Sequence, residues 1–212
     1  MTAFSHTLPR LAATALLCTA GLAHADISTS TSLASFLAAT GGGSTDSFAD
    51  LTINSGLGTN TLARAAGPYG YTASTQTEFF VVPVASAVAL STGTYSDTIS
   101  FAGFTSPVRA LGANFYGTNI LGEVASGGLT VVATDINGVV KTQTLAGNSA
   151  SGFLGFISDA PLASVVLSMT APNTNVWATV DNVVLSAVPE VGTWLMALLG
   201  GAAMLRVVRR RG

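Results

Sequence analysis

From residue 79 onward, short runs typical of β-strands follow one another, several of them alternating between apolar and polar residues, and this pattern limits the fold more than any other feature. Thr98–Phe101 and Val108–Phe115 both alternate in this way. Asp135–Gly138 lies between two such runs and is typical of a hairpin, because Asn-Gly tolerates positive φ. Gly, Pro, Asn or Asp interrupts the pattern about every ten residues, which is the spacing of an antiparallel sandwich or barrel.

No amphipathic segment of helical period exceeds two turns between residues 26 and 187, which argues against a parallel α/β fold. We therefore predict an all-β antiparallel sandwich, jelly-roll-like, with about eight to ten strands. Ser32–Leu37 fits either a short helix or an early strand. The predicted strands of the alternating part are residues 79–82, 98–101, 108–115, 129–134, 139–145, 152–157, 163–169 and 176–185.

The stretch before residue 79 is less regular. Residues 47–54 alternate, whereas residues 55–75 are rich in Gly and are predicted to form loops. Tyr69 and Tyr71 are expected on a tight connection within this loop region.

The body, residues 26–187, contains neither His nor Cys. It therefore lacks a Ser-His-Asp triad, a Cys nucleophile, disulfides and the usual ligands of zinc, copper and haem, so we predict no catalytic residues. Its basic residues are Arg64, Arg109 and Lys141, too few for the positive surface that binds nucleic acid. The kinds of functional site that the composition still allows use oxygen atoms, namely a pair of carboxylates or a calcium site. The length suits a single domain.

The N-terminus has the pattern of a secretory signal peptide over residues 1–25. Arg10 supplies the positive region, an apolar stretch follows, and Ala23-His24-Ala25 has the small-x-small form of a cleavage site. This predicts export through the Sec translocon and cleavage by signal peptidase. A lipoprotein signal would use Cys18, but the large Leu17 precedes it. A retained membrane helix is the other alternative, although the apolar run is shorter than the ~20 residues that span a bilayer.

The C-terminus, residues 188–212, has three parts. Val188-Pro189-Glu190 comes first and is followed by an apolar segment, Val191–Leu205, that contains Trp194. The cluster Arg209–Arg211 follows that segment. We predict a short transmembrane segment, with Arg209, Arg210 and Arg211 as a membrane stop that keeps the body outside the cytoplasm. The alternative is a buried helix of the core.

This arrangement resembles a PEP-CTERM sorting domain, with Val191 at the position of the usual second proline. The resemblance covers about two dozen residues at the C-terminus. It implies a Gram-negative bacterium that makes exopolysaccharide, and recognition and cleavage near Pro189-Glu190 by an exosortase, a membrane-embedded cysteine protease. It further implies an inner-membrane intermediate that ends at the cell surface or in the secreted matrix.

Three aspartates of the body are candidate calcium ligands, namely Asp46, Asp50 and Asp181, with Asp97 as a further loop carboxylate. Asp181-Asn182 also resembles the last strand of many carbohydrate-binding jelly rolls. The alternative for each is a structural hydrogen bond or a solvated turn.

Exposed aromatic side chains can stack on sugar rings, and the body offers Tyr69, Tyr71, Tyr95, Tyr116 and Trp177. We predict Tyr69 and Tyr71 as the glycan contacts, with packing at the end of the sandwich as the alternative.

The sequence thus favours an exported, non-catalytic protein with a structural or adhesive role, associated with exopolysaccharide or biofilm. A carbohydrate-binding module, supported by calcium or not, is the alternative. A glycoside hydrolase built on Glu78 and Glu123 is a third hypothesis, although nothing in the sequence pairs these two residues.

Overall fold

The computed structural model describes residues 26–84, 87–146, 148–171 and 175–187, which form two antiparallel sheets and one short helix, α1, Leu33–Thr40. The strands are β1 Ile27–Ser30, β2 Ser44–Asp46, β3 Ser55–Gly56, β4 Thr61–Ala66, β5 Tyr69–Ser74, β6 Phe79–Val84, β7 Ala87–Thr92, β8 Ile99–Ala102, β9 Ala110–Thr118, β10 Leu129–Asp135, β11 Val140–Leu145, β12 Phe153–Ser158, β13 Leu162–Met169 and β14 Trp177–Ser186.

The first sheet has eight strands in the order β1-β12-β9-β14-β7-β6-β3, with β2 also paired to β14. The second sheet has six strands in the order β11-β10-β13-β8-β5-β4. One apolar core lies between them, because Phe115 and Val180 of the first sheet share a buried cluster with Phe101, Val131 and Leu167 of the second. The prediction of an antiparallel β-sandwich is confirmed, but the described residues form fourteen strands, more than the eight to ten that the sequence pattern predicts. The ends, residues 1–25 and 188–212, on which the signal peptide and the sorting tail were predicted, lie outside the described residues.

Helix α1 covers part of the outer face of the first sheet. Ser32 caps its start by accepting a hydrogen bond from the Ser35 N–H at 3.1 Å, and Gly41 ends it at φ 68°. Phe36 packs edge-on against Phe153, with 5.4 Å between ring centroids. It fits because Gly155 lies beneath it: a Cβ there would fall 2.3 Å from the Phe36 ring. Among the described residues, no helix is long and apolar enough to cross a membrane.

The structure corrects the loop prediction for residues 55–75. Residues 61–66 and 69–74 form the hairpin β4–β5, with Ala66 paired to Tyr69 and Gly67 at φ 56°. Gly67 and Pro68, which contributed to the loop prediction, supply its turn, whereas Gly70 lies within β5. Conversely, residues 47–54 alternate in sequence but form no strand, and both Phe48 and Asn54 have positive φ.

The hairpin predicted at Asp135–Gly138 is confirmed, with β10 and β11 paired from Leu129–Leu145 to Thr134–Val140. Asp135 stabilises the turn, because its Oδ1 accepts from the N–H groups of Asn137 and Val139 at 2.9 Å each. Gly138 has φ 81°, while Asn137 keeps negative φ.

Strand β14 lies at the centre of the first sheet, between β9 and β7. Ala178 and Val180 point into the core, so Trp177, Thr179 and Asp181 point to the outer face. A bulge follows at Asn182, whose φ is 51°, and the pairing with β9 shifts register there. The central strand therefore presents aromatic, hydroxyl and carboxyl groups outward.

Candidate aromatic groove

A groove lies on the outer face of the first sheet, with a volume of about 120 Å³. We call it the aromatic groove. It lies over β6, β7 and the start of β14, and the loop after β9 forms one wall. Its lining residues are Phe80, Val82, Ser91, Thr92, Gly93, Asn119, Ile120 and Trp177.

Aromatic rings dominate this end of the sheet. The Trp177 ring meets Tyr95 edge-on, with 6.2 Å between centroids and 81° between planes. The Trp177 Nε1–H donates to the Gly93 carbonyl at 3.4 Å, which holds the indole across β7. Phe80 is 40 % exposed and Tyr95 38 % exposed, so both rings keep surface open to a ligand.

A row of buried hydroxyl groups runs across the sheet beside these rings. Thr118 and Thr179 are hydrogen-bonded through their Oγ1 atoms at 2.7 Å. Thr179 donates to Ser91 Oγ at 2.9 Å, and Ser91 in turn donates to the Ala178 carbonyl at 3.4 Å. The Trp177 carbonyl, 3.3 Å from Thr179 Oγ1, is a second acceptor for the same hydroxyl proton. Ser91, which lines the groove, thus belongs to a hydrogen-bonded row of buried hydroxyls.

The wall of the groove is a short loop held in place by Asn119. Its Oδ1 accepts from the N–H groups of Leu121 at 2.9 Å and Glu123 at 3.0 Å, and its Nδ2 donates to Glu123 Oε2 at 2.9 Å. These bonds fix the loop while Ile120 remains 79 % exposed and Leu121 72 % exposed. The wall is thus apolar and preformed.

The two tyrosines predicted to contact glycan lie elsewhere. Tyr71 is only 3 % exposed and its hydroxyl donates to Asp46 Oδ2 at 2.7 Å, so its ring has no open face for stacking. Tyr69 is partly buried and lines a second cavity near the α1–β2 connection and Ser186. Of the other aromatic candidates, Tyr116 is fully buried, whereas Tyr95 and Trp177 lie at the groove.

Asp46 and Asp50, the first two calcium candidates, surround a guanidinium group instead. Arg64 donates from Nε and Nη2 to Asp46 at 2.9 and 2.6 Å, and from Nη1 and Nη2 to Asp50 at 2.8 and 2.7 Å. Asp46 also accepts from the Phe48 N–H at 3.1 Å, and Arg64 lies 5.2 Å from the Phe48 ring centroid. The carboxylate oxygens that would bind a cation are already occupied by Arg64, Tyr71 and this N–H.

Electrostatics in this cluster favour the charged forms of its acid and base. Hydrogen bonding to Arg64 lowers the pKa of Asp50, although that carboxyl is largely exposed. Hydrogen bonds to Asp50 and Asp46 raise the pKa of Arg64 above its usual range. Burial, followed by the charge of Asp46, raises the pKa of Tyr71. The cluster is an ion pair with a phenol attached.

Asp181, the third calcium candidate, is 3 % exposed on the outer face. It accepts from the Tyr116 hydroxyl at 3.2 Å and from Asn182 Nδ2 at 3.1 Å, and it is also hydrogen-bonded to the Asn114 side chain. Burial raises the pKa of this carboxyl, and the three hydrogen bonds oppose that rise without cancelling it. Asp97 is bound by the hydroxyls of Thr94 and Thr77 and by the Thr77 N–H.

Within the described part of the chain, no group of three or more His, Cys, Asp or Glu side chains could hold a metal ion. Glu78 and Glu123, the hydrolase candidates, flank the aromatic groove but are absent from its lining. Phe80, Asn119 and Ile120 were not identified from sequence. Residues 79–82 are apolar throughout, so the sequence does not indicate which face Phe80 occupies. Only the long-range pairing of β6, β7 and β14 brings Phe80 near Trp177.

No protein-family model matches this chain, and no curated protein matches it. Among solved structures, a mutant of the family 29 carbohydrate-binding module CBM29-2 is similar at 9 % sequence identity. The similarity covers 77 % of this chain and 92 % of that one, with a TM-score of 0.30. At this TM-score the match bears on neither the fold nor the function.

Proposed function

We propose that this is a non-catalytic carbohydrate-binding protein that is exported and retained at the cell surface or in an exopolysaccharide matrix. The aromatic groove is its glycan site. The observation that carries the proposal is the placement of Phe80 and Trp177 on one concave surface that also holds hydroxyl and amide groups, with the exposed Tyr95 ring packed against Trp177.

A sugar ring matches such a surface chemically. It has an apolar face of C–H groups, which packs on an aromatic ring, and a rim of hydroxyls, which need hydrogen-bond partners. Phe80 and Trp177 supply the apolar contacts, while Ser91 supplies a hydroxyl oxygen and Asn119 an amide group at the groove. Small-molecule sites in proteins commonly combine mostly apolar walls with a few fixed polar groups in this way.

The absence of catalysis is part of the proposal. The body has no His or Cys, so acid-base or nucleophilic work would fall to carboxylates. Glycoside hydrolysis needs two carboxyl groups about 5–9.5 Å apart across the bound sugar. Glu78 and Glu123 flank the groove but do not line it, and Glu123 is engaged with Asn119.

Export and retention are proposed from the two ends of the sequence. Residues 1–25 provide the signal peptide, and residues 188–212 provide the sorting tail for an exosortase. Cell fractionation with mass spectrometry of the mature termini tests this part. Cytoplasmic protein with both ends intact would contradict it.

Glycan binding is tested by screening the full chain on an array of bacterial polysaccharides, including that of its own host. Phe80→Ala and Tyr95→Ala should each weaken binding by about tenfold, equivalent to about 1.4 kcal/mol of lost contact. Ile136→Ala is the matched control, since Ile136 is also exposed, at 63 %, but lies on the β10–β11 turn. Tyr69→Ala tests the sequence-based prediction. Loss of binding in Tyr69→Ala with none in Phe80→Ala would move the site to the other cavity.

A further inference from the structure

We infer that the aromatic groove accepts uncharged glycans and rejects those that carry carboxylates, such as polyuronates. This inference rests on the proposed function and specifies the ligand class of the same site. It is drawn from where the charged side chains of the described residues lie.

The cations of the described residues lie away from the groove. Arg64 is bound between Asp46 and Asp50, and Arg109 donates to the Asp159 carbonyl at 2.9 Å. Lys141 lies on β11, at the edge of the opposite sheet. None of the three lines the groove. A bound carboxylate would therefore find no ammonium or guanidinium group among the groove residues.

Acidic groups, by contrast, lie at the rim on two sides. The Glu78 side chain lies beside Gly93, where a Cβ would be 3.0 Å from Glu78 Cγ. Glu123 accepts from Asn119, which forms part of the lining on the other side. Each glutamate therefore contacts a residue that lines the groove without lining it itself. Their charges are close enough to act on a bound ligand, since the Debye length is about 8–10 Å.

These placements give the groove a selectivity based on charge. The carboxylate of a uronate that enters the groove loses hydrating water and faces aromatic carbon, and burial of a charge without a partner is costly. It also lies near the negative charges of Glu78 and Glu123. A neutral sugar also loses water, but it gains contacts with the aromatic rings, and its hydroxyl groups can pair with the Ser91 hydroxyl and the Asn119 amide. Selectivity therefore follows from the penalty on the wrong ligand as much as from contacts to the right one.

The test uses pairs of polysaccharides that differ only in charge. A polyuronate such as polygalacturonate or alginate is compared with its carboxyl-reduced form, which keeps the linkages but is neutral. We expect the full chain to bind the reduced member at least about tenfold more tightly at low salt. Added salt should narrow the difference by screening the uronate's repulsion, and should leave neutral binding unchanged.

A double variant, Glu78→Gln with Glu123→Gln, should narrow this ratio, because it removes the rim charges while the amide oxygen introduced at position 123 can still accept from Asn119. Equal or tighter binding of the polyuronate by the unmodified chain would overturn the inference and leave the proposed function standing. If the chain binds no member of the panel and no host polysaccharide, both the inference and the proposed function fall.

Discussion

The protein contains two buried aspartate–tyrosine pairs, and they differ in whether a cation joins them. Tyr71 donates to Asp46 at 2.7 Å and Tyr116 donates to Asp181 at 3.2 Å. Both carboxyl groups are nearly buried, at 5 % and 3 % exposure. Arg64 binds the first, whereas the second has only hydroxyl and amide partners.

The two pairs show that a buried aspartate has two different structural roles in this protein. Asp46 is on β2 of the first sheet, and Arg64 and Tyr71 are on β4 and β5 of the second, so the charged cluster joins the two sheets. Asp181 and Tyr116 lie on neighbouring strands of the same sheet, next to the bulge at Asn182. A charge is stabilised in the first case, and the neutral form of a carboxyl is favoured in the second.

The largest effect is expected from Arg64→Met, which leaves Asp46 buried without its cation. Breaking one partner of a buried pair typically costs about 3–5 kcal/mol, and urea unfolding should show a loss in that range. Lys141→Met on the edge strand β11 is the control and should change stability by less than about 0.5 kcal/mol. A loss below about 1 kcal/mol in Arg64→Met would mean that the cluster does not join the sheets energetically.

The two tyrosines offer a direct comparison of the pairs. Tyr71→Phe removes a hydrogen bond to a carboxylate held by Arg64, and hydrogen bonds to charged groups contribute about 1.5–3 kcal/mol. Tyr116→Phe, measured at a pH where Asp181 is neutral, should cost about 0.5–1.5 kcal/mol. Both rings are buried and both changes remove one oxygen, so each variant controls for the other. A larger loss of unfolding free energy in Tyr116→Phe than in Tyr71→Phe would mean that the Asp181 pair contributes more to stability than the Asp46 pair.

The smallest effect should appear in the pH dependence of stability. The pKa of Asp181 is raised in the folded protein. The contribution of Asp181 to the free energy of unfolding is therefore fully present below its unfolded-state pKa of about 3.9, and it is lost as the pH rises through the folded-state pKa. Asp50 has the opposite sign: its lowered pKa gives stability above about 3.9 that is lost on acidification, and exposure keeps that contribution small. The free energy of unfolding of the wild type minus that of Asp181→Asn, measured from pH 3 upward, should therefore decrease as the pH rises. A flat difference would show that Asp181 titrates as an ordinary carboxyl.

Much of the fold followed from local patterns. The alternation in β9 and β10 and the Asp135–Gly138 turn gave the sandwich, because a strand with one face in the core shows that face in its sequence. The β4–β5 hairpin does not follow from local patterns, because Gly67 and Pro68 are as typical of a long loop as of a turn between two strands.

The candidate site could be predicted less well from the sequence, because the residues that form it lie far apart along the chain. Asp46 and Asp50 looked like calcium ligands because their partner, Arg64, enters from another sheet. Trp177 was recognised as a candidate aromatic, but its neighbour Phe80 lies 97 positions earlier (177 − 80) and reaches it only through β7. Pairing across the sheet, which no local pattern specifies, builds the groove.

The central position of β14 also has a mechanical consequence. The described chain ends one residue after this strand, at Ala187, and β14 is hydrogen-bonded to β9 on one side and to β7 and β2 on the other. A pull on Ala187 along the strand would load those ladders together in shear, rather than peel an edge strand away one bond at a time. A body tethered through this end would bear force through its best-connected strand.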